Sequence, residues 1–203
     1  MAKINMRGLK AEIAQKGYKI VKPVVEARVR SELEKSKKEL LQDFDNHAVT
    51  KEIQNGNNSS NISNTLGGYG NLFTFIGFDS SADPISPIRS LLARSIKIQS
   101  LRKKTNELAF VLRFTIPTKE EIAAVSPTPW STESWVDAVE KGMSGLGRYL
   151  YSNDKNRFST SRSRGGIEAK FDVRPGQTSK PIDYMSGIFT RMLKNIEQNL
   201  KRI

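Results

Sequence analysis

The chain predicts an α+β fold in a single domain, with a long N-terminal amphipathic helix, a small and mainly antiparallel sheet, a C-terminal helix and extended loops. Three observations carry that reading. Apolar residues recur at helical spacing near both ends of the chain. Two segments in the middle, 96–101 and 107–116, carry the alternation and β-branched content of paired strands. At 203 residues and 37% hydrophobic content, one substantial core can form, and no composition shift marks a second.

The first helix is expected over 23–44, with Pro23 suited to its first turn. Val25, Val29, Leu33, Leu40 and Phe44 fall within about 100° of one another at 3.6 residues per turn and form one buried stripe. Glu26/Arg30 and Glu34/Lys38 stand four apart on the exposed side. A shorter helical stretch over 9–18 precedes it, and Gly17 and Pro23 are expected to bend or break the chain between the two. Residues 54–64, QNGNNSSNISN, hold one apolar side chain in eleven and read as a mobile polar loop.

The largest apolar run follows a glycine-hinged lead-in at 66–71. Leu72, Phe73, Phe75, Ile76 and Phe78 have the aromatic and β-branched content of a buried strand and are expected in the core sheet. Pro84 and Pro87 pace a turn, 88–92 reads as a brief helix, and 96–101 alternates as a half-buried strand should. After a turn at 103–106, residues 107–116 return as a more completely buried strand, making a hairpin.

Thr118-Lys119-Glu120-Glu121 has the form of a capping box for a short helix that ends before Pro127. Residues 127–130 form an extended link, and Thr132 or Ser134 caps a second helix through Trp135, Val136, Val139 and Met143. Residues 151–166 are a basic, serine-rich arm, with Lys155, Arg157, Arg162 and Arg164 against the single acid Asp154. Residues 167–173 read as a last strand. Asp183 is expected to cap a C-terminal helix whose Met185, Ile188, Met192, Ile196, Leu200 and Ile203 share a face.

Lys and Arg number 33 against 21 acids, for a net charge of +12, a field that favours polyanionic neighbours. Cysteine is absent, which removes disulfides and thiolate metal sites. The N-terminus lacks the apolar segment of a secretory signal and nothing approaches a membrane-spanning run, so an intracellularly assembled protein without membrane contact is expected. The Asn-X-Ser triplets at 57–63 are then simply part of a polar loop.

Chemistry-bearing patterns are sparse. His47 is the only histidine, which excludes a triad of the usual kind. Asp43, Asp45 and His47 alternate in a way that hints at a metal, but a single imidazole leaves few nitrogen donors, and no metal or other cofactor is expected. The glycines of 142–147 lack dinucleotide-fingerprint spacing. Glu168, Lys170 and Asp154 form the skeleton of a magnesium nuclease, yet an acid and a base two apart on a strand arise constantly as a solvated face. For the arm, Lys155, Arg157, Arg162 and Arg164 suit either phosphate contact, with Tyr151 and Phe158 available for stacking, or a clamp on an acidic neighbouring subunit.

Several segments together resemble the neck, or tail-completion, proteins of tailed bacteriophages. They are Met6-Arg7-Gly8-Leu9 before the long helix, the stretch 64–78 leading into 84–92, the tryptophan helix running into 142–150, and the closing helix over 184–200. The resemblance implies a non-catalytic virion subunit assembled in the host cytoplasm. It further implies a homo-oligomeric ring at the head–tail junction, contacting other neck, connector and tail proteins, with DNA passing through the ring. The polar loop and the basic arm would then reach neighbouring subunits. The alternative readings are a non-specific nucleic-acid-binding protein and, behind it, a metal-dependent nuclease.

Overall fold

The computed structural model describes residues 6–66, 70–104, 109–129, 131–142 and 180–200. Among them the fold is α+β: helices α1 (Met6–Asn46), α2 (Ala48–Gln54), α3 (Leu72–Ile76) and α4 (Ser86–Ser95), strands β1 (Lys97–Lys103) and β2 (Phe110–Thr115), then α5 (Lys119–Ala124), α6 (Trp135–Lys141) and α7 (Met185–Leu200). The basic arm, the strand expected at 167–173 and the nuclease-like trio lie outside the described residues.

α1 is one helix of 41 residues, about 60 Å long at 1.5 Å per residue, and the break expected at Gly17 and Pro23 does not occur. Pro23 deprives the Lys19 carbonyl of its donor, but both residues are exposed, so water can take the donor's place. The stack of Tyr18 on Phe110, with ring centroids 5.3 Å apart, and the Lys22–Glu26 ion pair at 3.6 Å hold the helix on either side of the proline. The buried stripe is the expected one for Val29, Leu33, Leu40 and Phe44, joined by Ser36.

α7 runs antiparallel along this stripe. Arg191 reaches Asp43 at 3.1 Å near one end of the contact, and Asn199 donates to Glu32 at 3.2 Å near the other. Met185, Ile188, Met192 and Ile196 are its buried face, each contributing about 1.5–3 kcal/mol by leaving water. The helix starts at Met185, with the Tyr184 carbonyl accepting from the Ile188 N–H, so Tyr184 rather than Asp183 holds the capping position.

Residues 72–78 correct the sequence reading: they are α3 and its exit turn, not a strand. Asn71 caps the helix by accepting the Thr74 N–H at 3.0 Å. Gly77 closes it at φ +86°, donating to the carbonyls of Phe73 and Thr74. Leu72, Phe73, Ile76 and Phe78 are buried and Phe75 packs half-buried against them, so the five residues do join the core, from a helix. Burial selected their composition, and burial is served equally by a single helical turn.

β1 and β2 form an antiparallel hairpin in which Ile98 lies opposite Phe114, Leu101 opposite Leu112 and Arg102 opposite Val111. The register shifts between Ile98 and Ser100, leaving Gln99 as the extra residue of a bulge. β2 alternates half-buried and exposed residues rather than being more completely buried as expected, because only one of its faces has a covering layer. Thr118 and Glu121 make the reciprocal capping box of α5, and Ser134 caps α6 by accepting the Asp137 N–H.

The centre of the core is a chain of rings. Phe73 meets Phe78 at 5.4 Å, Phe78 meets Trp135 edge-on at 6.1 Å, and Trp135 stacks on Tyr184 at 6.0 Å. Phe44 and His47 take the other sides of Tyr184 at 6.0 and 4.8 Å. These contacts tie α3, α6 and α7 to the C-terminal end of α1.

Candidate functional site

The three residues with metal-like spacing turn to three different partners. Asp43 pairs with Arg191, and Asp45 takes a bidentate contact from Arg89 whose shortest distance is 2.9 Å. His47 caps α2, its Nδ1 accepting the Val49 N–H at 3.3 Å. Burial pushes the His47 imidazole below its ordinary pKa and Arg191 adds to that, while the Asp183 backbone, Asp43 and Glu140 oppose it. Among the described residues no group of three or more His, Asp or Glu side chains is placed to hold a metal ion.

The strongest buried polar construction was not visible in the sequence. Glu52, fully buried on α2, accepts the Leu72 N–H with Oε1 at 2.7 Å and the Ser63 N–H with Oε2 at 2.6 Å. One carboxylate thereby fixes both the end of the polar loop and the first turn of α3. Asn71 works from the opposite side, donating to the carbonyls of Asn57 at 3.2 Å and Ser59 at 2.9 Å. The stretch 54–64, expected as a mobile polar loop, takes the last residue of α2 and a 3-10 turn at Gly56–Asn58, and its backbone is stitched to α2 and to the start of α3. Thr50 and Tyr184 share a buried hydrogen bond of 2.8 Å, and burial raises the Tyr184 phenol above its ordinary pKa.

These buried groups are engaged in holding the fold. Between Lys16 and Arg28 α1 has no buried residue: Tyr18 is half-buried against Phe110, Val29 is the first buried side chain, and Ile20 and Val24 are 74% and 69% exposed. Ile20 and Val24 stand one turn apart on the side opposite the Val29–Leu33 stripe. Between α1 and β1 runs a groove of about 650 Å³, floored by Val29, Leu33 and Ile96 and rimmed by Glu26, Arg30 and Lys37. Its rim carries both charges.

Comparison with protein-family models, with curated proteins and with solved structures finds no match to this chain. Among the described residues no helix is long and apolar enough to cross a membrane. The sequence-predicted contact residues Lys155, Arg157, Arg162 and Arg164 lie outside the described residues.

Proposed function

We propose that this chain is a structural virion protein of a tailed bacteriophage, a subunit of an oligomeric ring in the neck that joins head to tail, with no catalytic role. The observation that carries the reading is the form of α1. A helix about 60 Å long anchors its C-terminal half in the core and, ahead of Val29, leaves Ile20 and Val24 bare. A long helix with a bare apolar face gives a subunit a surface for its neighbour in a ring. The order of elements that resembles the neck family supports the same reading, as does the use of Glu52, His47 and Tyr184 for fixing structure.

In this reading the arm at 151–166, through Lys155, Arg157, Arg162 and Arg164, grips neighbouring neck, connector or tail proteins while DNA slides past. Particles assembled without the chain should accumulate as separate full heads and finished tails. Normal joined particles in its absence would contradict the assignment. A non-specific nucleic-acid-binding role is the second reading, favoured by the basic hairpin described next.

A further inference from the structure

The β1–β2 hairpin separates its side chains sharply by face. Ile98 and Leu101 are three residues apart, so strict alternation would send one of them outward. The bulge at Gln99 restores the phase: Ile98 and Leu101 both face in, opposite Phe114 and Leu112, and Lys97 and Arg102 both face out. Arg113, opposite Ser100, joins them on the outer face. Lys97, Arg102 and Arg113 are all exposed, and the two on β1 stand roughly 15 Å apart along the strand, about the rise of four base pairs.

Four exposed cations on the helices are matched by acids, although others among the described residues, such as Arg30 and Arg94, are not. Arg28 pairs with Glu32 at 3.6 Å, Arg89 with Asp45 at 2.9 Å, Lys119 with Asp137 at 3.2 Å and Arg191 with Asp43 at 3.1 Å. The described residues of the hairpin include no acid, and among the described residues no carboxylate lies within ion-pair distance of Lys97, Arg102 or Arg113.

We infer that the outer face of the β1–β2 hairpin is a sequence-independent binding surface for duplex DNA, with Lys97, Arg102 and Arg113 contacting phosphates. Charge complementarity selects the occupant. A protein partner would need an apolar or aromatic centre to the patch, and the only large apolar side chain exposed on β1 or β2 is Val111. Phosphate contact needs only positioned cations. The choice of DNA rests on the neck reading only in that such a ring encloses DNA; the surface itself stands on the hairpin geometry.

The test measures the affinity of the full chain for a random-sequence duplex across a salt series. The triple variant Lys97→Gln, Arg102→Gln, Arg113→Gln should flatten the slope of log K against log salt by about 2.7, at about 0.9 per phosphate contact. The charge-matched control Lys35→Gln, Lys119→Gln, Lys141→Gln, drawn from ion-paired cations, should keep the parental slope. An unchanged slope in the hairpin variant, or an equal flattening in the control, overturns the inference and returns the face to an acidic protein neighbour. All six positions are exposed, so the variants fold, which circular dichroism checks. Failure here with head–tail joining still dependent on the chain removes only the hairpin surface. The expected slopes with joining unaffected by loss of the chain remove only the neck assignment.

Discussion

Glu52 accepts the backbone N–H of Leu72 across 20 positions of sequence, at 2.7 Å and with no exposure to water. That single contact sets where α3 begins, while the other carboxylate oxygen holds Ser63. The polar loop and the apolar helix after it are therefore one structural unit, anchored on α2.

Glu52→Gln should be destabilising despite its near-identical shape. A carboxamide offers one acceptor oxygen, so one of the two N–H groups is left facing another donor in a buried site. A loss of about 1–3 kcal/mol is expected. A lower urea midpoint with an unchanged dependence on urea concentration checks it. Parental stability would mean that Glu52 is not the anchor.

Thr50 and Tyr184 make a pair whose members should not be removed singly. Tyr184→Phe leaves the Thr50 hydroxyl buried without that partner and should cost about 1–3 kcal/mol, whereas Tyr184→Phe with Thr50→Val removes both polar groups and should recover much of the loss. Additive losses in a double-mutant cycle would show that the hydrogen bond is not the source of the effect.

His47 gives the fold a pH dependence of known sign. Its folded pKa lies below the ordinary value, so the unfolded chain takes up the proton first as pH falls through about 6.5. Stability is unaffected by this group well above that pH, falls below it and levels off beneath the folded pKa. As the only histidine, it is the side chain whose ordinary pKa falls between about pH 7 and 5.5, above the carboxylate range. His47→Asn keeps a capping acceptor and should flatten the thermal midpoint across that window. An equally sloped profile in the variant would assign the effect to another group.

The outer face of α1 should matter for assembly and hardly at all for folding. Ile20→Gln with Val24→Gln changes two residues that are 74% and 69% exposed, so each should shift stability by no more than about 0.5 kcal/mol. In complementation, the double variant should lower the yield of joined particles. Full yield would move the subunit contact off this face.

The parts of the fold legible in the sequence were those written in local periodicity. The α1 stripe from Val29 to Phe44, the α7 face from Met185 to Ile196, the hairpin and the Thr118 capping box all have short-range signatures. α3 was misread because Leu72–Ile76 has strand composition, although Asn71 before it and Gly77 after it are the cap residues of a short helix. The bulge at Gln99 was hidden for a related reason, since apolar residues at 98 and 101 break a strict alternation without saying where the extra residue sits. Glu52 could not be found at all. A glutamate on a polar-flanked helix ordinarily faces water, and its burial here depends on two donors brought from 11 and 20 positions away.

The most direct measurement is electron microscopy of virions carrying a gold-labelled copy of the chain. The proposed role predicts label at the head–tail junction of intact particles, with several copies in a ring around the axis. Label on the capsid shell or the tail tip, or virions without the chain, would contradict it.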